Sequence, residues 1–416
     1  MRTLNFLISK FELKSQYLMT GQKINHFNKM ANSVFQNEYF KKLNLSLNLN
    51  LKLYLILFLL INLSSTTVAQ DCWSTFRGNQ SLTGFSNTLP LKSYRLLWTY
   101  KTTDKIKSSP VVCKESIYIG SDDGYLYSLS KLGKLNWKFK TGTSIEASPL
   151  LLDNTVFFGS VEGNIYALDS KTGSQKWIYK TEGKIIGSSN WVLGPDKRQK
   201  RIITGSYDYN LHCVDASTGK ALWKYESSNF INGTAAISNN TAAFGGCDGF
   251  LHLINTNTGK ETIKININNY IASSAAIVDN KAYFGNYDGE FYCYDINSKK
   301  QIWKFEGGGT FTSSPAVYDK YVVITSQNKK VYCLNKANGK LIWTFATLQK
   351  IEGSPIIAQN SVIVASGDGR LYILDLKTGN KTWSYEIGIP IYSSPAVINN
   401  FIIVGASDGK IYAFGK

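Results

Sequence analysis

Six cysteines and three histidines make up the thiol and imidazole chemistry of this 416-residue chain. Neither His212 nor His252 has a second His or Cys at ligand spacing, and His26 lies far upstream of both. Three or four such donors must converge to hold zinc, so no metal site is expected. Cys213, Cys293 and Cys333 follow His212, Tyr292 and Tyr332 in a recurring register where Ala167 and Ala413 stand elsewhere. That slot reads as a small buried residue and not as a nucleophile. Cys247 falls in a turn; Cys72 and Cys113 can pair in an oxidising compartment, although six cysteines allow many connectivities and spacing selects none. The serines at Ser109, Ser148, Ser189, Ser274, Ser314, Ser354 and Ser394, with Thr234, share one local context. A catalytic nucleophile is singular and set against a base, whereas these belong to a repeat. No catalytic, cofactor-binding or metal residue emerges, and the chain is expected not to be an enzyme.

The elements that carry these residues recur about every forty positions. A unit such as Ser354 to Trp383 holds three short apolar runs, cut by Gln359-Asn360, Gly367-Asp368-Gly369 and Thr378-Gly379, then a fourth run around Trp383 and Tyr385. Short apolar runs bounded by such turns read as hairpin-linked strands. The closing aromatic returns at Trp98, Trp137, Trp177, Trp223, Trp303, Trp343 and Trp383, with Ile263 replacing it in the fourth unit. Four strands per repeat cannot bury their faces alone, which selects a propeller. The last unit stops at Phe414 without a Trp strand, while Leu96-Leu97-Trp98-Thr99-Tyr100 is a Trp strand with no sheet before it. The expected fold is therefore all-β, an eight-bladed β-propeller of four-stranded antiparallel blades over residues 96–416. The amino-terminal strand closes the ring and removes its free edge.

Asp-Gly marks the turn between second and third strands at Asp123-Gly124, Asp248-Gly249, Asp288-Gly289, Asp368-Gly369 and Asp408-Gly409, with Glu162-Gly163 close to it. At Asp208-Tyr209 and Asn328-Lys329 the glycine is missing, so rebuilt turns are expected there. First and third strands run the same way, which puts these turns and the loops before each Ser-Pro start on one face. Tyr207, Tyr209, Phe230, Tyr270 and Tyr287 gather there and form the candidate partner-binding patch, since buried interface centres favour such residues; packing into adjacent blades is the competing reading. A basic insertion, residues 194–201, lies on the opposite face.

Composition fits a β-rich globular body, with 13% aromatic and 18% charged residues. The formal charge of +17 comes largely from scattered lysines, which gives no nucleic-acid footprint. Residues 1–70 read as an extension and secretory signal: Lys41, Lys42 and Lys52 precede an apolar region at 53–63 and then small residues up to Ala69-Gln70. The apolar run is short for a spanning helix, which takes about 20 residues. No integral span is expected in the mature form, which is placed in the periplasm or secreted, the outer membrane included. Residues 71–95 form a leader outside the repeat.

Trp73 to Asn79, Thr83-Gly84-Phe85-Ser86, the Ser-Pro starts, the Asp-Gly turns and Thr218 to Trp223 resemble the secreted PQQ-like β-propeller repeat proteins, in particular the BamB family of outer-membrane assembly factors. The resemblance spans residues 73–416 and implies a monomeric, non-enzymatic scaffold binding envelope protein partners. Soluble quinoprotein dehydrogenases share such propellers, and their pattern includes vicinal cysteines, a calcium-bound carboxylate cluster and large insertions; this chain has no adjacent Cys pair and is much shorter. The alternative is a PQQ- or carbohydrate-binding protein, a reduced quinoprotein dehydrogenase among them. Fold motifs do not decide between these functions.

Overall fold

The computed structural model describes residues 72–88 and 90–416. The extension of residues 1–70, where a secretory signal was expected and where His26 stands, lies outside the described residues. Eight antiparallel sheets follow in chain order. Blade 1 comprises Val111–Cys113, Ser116–Gly120, Tyr125–Ser130 and Leu135–Lys140, from the innermost strand outward. Its three inner strands are buried almost throughout, whereas the outermost alternates between exposed and half-buried positions. Neighbouring blades cover both faces of the inner strands, which explains the unbroken apolar runs. Between blades 1 and 2, for instance, Val111, Leu126, Ile145, Val156 and Phe158 share one core.

Blade 8 is completed as expected from the register of the two chain ends. Its strands Ala396–Ile398, Phe401–Gly405 and Lys410–Gly415 are joined by Arg95–Lys101, with Trp98 opposite Ala413.

Two belts of hydrogen bonds tie the blades together. At the centre, from blade 2 onward, the backbone N–H at the repeat start donates to the next blade's hydroxyl: Ser148 to Ser188, Ser188 to Thr234, Thr234 to Ser274, and onward through Ser314, Ser354 and Ser394, while between blades 1 and 2 the Ser148 hydroxyl donates to the Ser109 carbonyl. In blade 3 the belt residue is Ser188, not Ser189 as the repeat spacing suggested. Ser189 instead fills the slot of the proline and shares a hydrogen bond with Thr204.

Nearer the rim, the Trp343 indole N–H of blade 6 donates to the Leu376 carbonyl of blade 7 at 2.9 Å. Gly379 of the same blade 7 turn has φ +74°, and a Cβ there would come within 2.6 Å of the Trp343 ring. Trp98, Trp137, Trp177, Trp223 and Trp303 dock in the same way on the carbonyls of Lys131, Ser170, Ala216, Thr256 and Lys336. Blade 4 has Ile263 in place of Trp, and the facing turn of blade 5 has Lys299, with φ +59°, where glycine stands elsewhere. The two halves of this joint have changed together.

The leader is the element least expected from the repeat. Cys72 pairs with Cys113 in register and by a disulfide, which ties the leader to blade 1. Beyond it the chain meets every other innermost strand in turn. Ser74 accepts from Leu151, Gln80 bonds Trp191 and Ile237, and Ser81 accepts from Ile277. Thr83 accepts from Val317, Gly84 from Ile357, and the Thr88 hydroxyl from Asn399. Only the ring axis adjoins all eight inner strands, so the leader closes the channel. Its contacts fall at the first-hairpin end of the blades, opposite the Asp-Gly turns.

The turns lacking glycine are not rebuilt. Tyr209 at φ +71° and Lys329 at φ +68° take up the left-handed geometry themselves. The Tyr209 carbonyl still accepts from Ser227 N–H and Oγ–H, as Gly124 does from Thr141.

Candidate functional site

On the Asp-Gly face each turn is stitched to the loop that approaches its own blade. Tyr207 N–H donates to Lys184 at 2.9 Å, Cys247 N–H to Phe230 at 3.0 Å, and Tyr287 N–H to Tyr270 at 3.0 Å. Below these loops Ile106, Ile145, Ile185, Ile231, Ile271, Phe311, Ile351 and Ile391 are buried as anchors, each three residues before its belt hydroxyl. The face is therefore a rigid platform whose loop tips are free to carry recognition residues.

The five expected aromatics all lie on this platform, in two groups. Phe230 stacks on Tyr207 at 4.5 Å and touches Tyr209 at 5.3 Å; Tyr270 meets Tyr287 edge-on at 6.2 Å. Among the described residues no ring contact joins the two groups. The Tyr207 phenol has its pKa raised, by burial first and then by Cys247, Glu146 and Tyr287. Tyr207 is half-buried; Tyr209, Phe230, Tyr270 and Tyr287 remain exposed, Tyr270 at 53%. Phe230, in the loop before blade 4, packs on Tyr207 and Tyr209 of the adjacent blade 3, whereas Tyr270 and Tyr287 both belong to blade 5.

Further apolar groups stand on the same face beside blades 7 and 8. Leu348 is 64% exposed and Ile389 36%. A cavity of about 460 Å³ opens next to Leu348, between Lys350, Asp368, Pro390 and Tyr392. Leu348 and Ile389 occupy the same approach loops as Phe230, three and four blades later around the ring, so repeat register alone could have revealed them.

The polar residues of the face brace the turns. Asp123 accepts from Tyr127, Asp368 from Tyr372 and Asp408 from Tyr412, at 2.7–2.8 Å. In blades 3 and 4 the same bond runs between His212 and Asp208 and between His252 and Asp248, each at 2.9 Å. Tyr179 and Tyr225 of the preceding blades close these pairs through the other ring nitrogen. Two such Tyr–His–Asp chains look catalytic in isolation. Both are buried, and both replace a Tyr–Asp brace that recurs around the ring, so their position marks them as scaffolding. Cys213 and Cys333 are buried, and burial pushes both thiols up to about 12, far from nucleophilic.

The basic insertion is less basic in three dimensions than in sequence. Arg201 is buried and donates to the carbonyls of Thr256 and Asn257, and Lys200 is paired with Asp153. Lys197 and Arg198 are exposed at its tip, beside Asp196 and on the leader's side of the ring.

Eight four-stranded blades joined by an inner hydroxyl belt and an outer Trp belt define a PQQ-like β-propeller. A family model for the outer-membrane protein assembly factor BamB matches residues 92–245. The chain belongs to the family of the β-propeller of β-alanine-activating enzyme, whose model matches residues 184–415, more than half of its length. No curated protein sequence matches the chain significantly. Among solved structures, BamB from Moraxella catarrhalis superposes with a TM-score of 0.67 at 18% identity, covering 78% of this chain and 98% of its own. A europium-containing methanol dehydrogenase gives 0.70 at 12%, covering 84% and 99%, and the quinohemoprotein alcohol dehydrogenase of Comamonas testosteroni 0.69 at 14%, covering 84% and 81%. At such identities the likeness is one of fold.

Proposed function

We propose that the protein is a non-enzymatic propeller scaffold that binds other proteins through its Asp-Gly face, in the periplasm or another secreted setting, as a BamB-like protein would. The observation that carries this reading is Tyr209. Its backbone holds the left-handed geometry that glycine supplies in most of the equivalent turns, at a cost on the order of 1 to 3 kcal/mol. What the strain achieves is an exposed ring against Phe230, at the edge of a stacked aromatic cluster. Strained residues cluster where surfaces are used, and exposed aromatics become anchors when a partner desolvates them. The leader closes the opposite mouth of the channel, which leaves this face as the open one. Among the described residues no helix is long and apolar enough to cross a membrane.

The β-alanine-activating enzyme named by the family lends this chain its propeller, and we read that propeller as a binding module and not as the seat of activation chemistry. A quinone- or carbohydrate-binding role is the second reading, favoured by the superposition on methanol and alcohol dehydrogenases. Mixing purified protein with PQQ and calcium separates the two. The scaffold reading expects no bound-quinone spectrum and no alcohol-dependent dye reduction, and either signal would overturn it.

A further inference from the structure

The fold sorts lysines that are scattered along the sequence. Antiparallel strands put the first hairpin of each blade and the turn between its third and fourth strands at one end of the ring, the end on which the leader lies. There Lys and Arg outnumber Asp and Glu by more than two to one, whereas on the Asp-Gly side the two are matched. The excess has a repeating source. Lys134, Lys220, Lys260, Lys300 and Lys340 each follow the turn-glycine position in blades 1, 3, 4, 5 and 6, and all five are exposed. The ion pairs that lysines make on this side engage Lys131, Lys176, Lys200 and Lys336 instead, so none of the five is in an ion pair among the described residues. The aspartates beside them serve the fold: Asp169, Asp215 and Asp375 accept backbone N–H groups of their own turns.

One of these turns also carries an apolar tip. Leu132, between Lys131 and Lys134 in blade 1, is 75% exposed, more than any other large apolar side chain described. In the other blades the same position holds Thr172, Thr218, Thr258, Ser298, Asn338 or Thr378. A leucine this exposed buries little against its own ring, so what it can gain by burial it gains from outside.

We propose that the leader side of the ring lies against an acidic phospholipid surface, with the five lysines at the headgroups and Leu132 in the interface. One lysine on each of five blades spreads the charge over a whole end of the propeller and gathers it in no cleft, which fits an extended planar anion and not a peptide or a small ligand. A nucleic-acid strand would call for aromatic platforms among the cations, and the exposed aromatic cluster stands on the opposite face. Each lysine near an acidic bilayer strengthens binding about fivefold, and an apolar tip among cations inserts at headgroup level. In this orientation the Asp-Gly face points away from the bilayer. The inference does not rest on the partner-binding reading.

The test is sedimentation of the purified protein with phosphatidylcholine vesicles that contain an increasing share of phosphatidylglycerol. Wild-type binding should rise with the acidic share and fall as salt is raised from about 0.05 to about 0.3 M, because the Debye length shortens. Lys220→Gln with Lys260→Gln and Lys300→Gln should cost roughly a hundredfold in affinity at unchanged melting midpoint. Leu132→Thr, the residue of most other blades, should cost severalfold. Lys105→Gln with Lys140→Gln and Lys184→Gln removes the same charge from exposed positions on the Asp-Gly side, and should leave binding within about threefold of wild type. Equal losses in the two triple variants would reduce the attraction to net charge and overturn the proposal, as would a leader-side variant that binds like wild type. Retention on heparin without binding to acidic vesicles also overturns it, and assigns the face to a soluble polyanion.

Discussion

The backbone N–H of Ser394 donates to the hydroxyl of Ser109 at 2.9 Å, joining residues 285 positions apart. This bond turns a row of blades into a ring. At the rim Trp98 repeats the closure by donating to Lys131, so the last blade grips the first at both radii. Deleting residues 71–102 removes the closing strand, the leader and the disulfide together. The product is expected to aggregate or to melt over a broad range, because Lys410–Gly415 becomes a free edge and ring stability depends on neighbour interfaces. Cys72→Ser keeps the strand and should still melt in one sharp step, destabilised by about 2 to 4 kcal/mol. A deletion variant that melts as sharply as the parent sinks the closure argument.

Much of this was legible in the sequence because it is local. Asp-Gly turns, Trp spacing and apolar runs repeat, so blade number, strand number and the closing strand follow from period alone. The leader was not legible in the same way. Its partners, from Leu151 to Asn399, are backbone groups that any residue supplies, and no side-chain pattern announces them. Ser188 and Ser189 offer the same hydroxyl in sequence, and only the hydrogen bond tells them apart. The patch aromatics were visible as residue types on one face, but their division into two groups depends on ring geometry.

The altered joint between blades 4 and 5 gives a coupled prediction. Trp343→Ala should cost about 3 to 5 kcal/mol in denaturant melts, as truncation of a buried Trp does. Ile263→Trp alone should bring no gain, since Lys299 occupies the space against which the indole would lie. Combined with Lys299→Gly it should recover stability relative to either single change, a positive coupling of about 1 kcal/mol in a double-mutant cycle. Additive effects would show that the paired change of Ile263 and Lys299 is coincidental.

Acid should weaken the braces on the Asp-Gly face. Burial alone would raise the Asp208 carboxyl, but the hydrogen bond and charge of His212, with the N–H groups of Asn210 and Glu182, hold it well below the usual range. Asp248 and Asp408 are lowered in the same manner, by His252 and by Tyr412. A folded-state pKa below the unfolded one gives stability that is complete above the unfolded value and lost as pH falls through the folded value. The melting midpoint should therefore hold down to about pH 4 and drop steeply below it. Asp208→Asn should lower it at neutral pH by the equivalent of about 1 to 3 kcal/mol and soften the acid limb. An unchanged acid limb in that variant would remove His212–Asp208 from the account.

The aromatic patch puts the functional reading at risk. Tyr207 and Tyr287 come from different blades and different ring contacts, so replacing both disrupts the two groups without touching either belt. Truncating a true anchor costs upward of about 2 kcal/mol of affinity, which is a loss of roughly thirtyfold for each. Tyr207→Ala with Tyr287→Ala should therefore abolish crosslinked capture of partners from the native envelope while the melting curve stays close to wild type. Lys197→Glu with Arg198→Glu tests the other side of the ring in the same assay, where the two exposed cations of the insertion could attract an acidic surface. Contacts made there would weaken with salt, because exposed charges are screened beyond about 10 Å at 0.1 M ionic strength. If the charge-reversal variant loses its partners and the tyrosine variant keeps them, binding belongs to the leader's side of the ring and the Asp-Gly face is a brace without a partner.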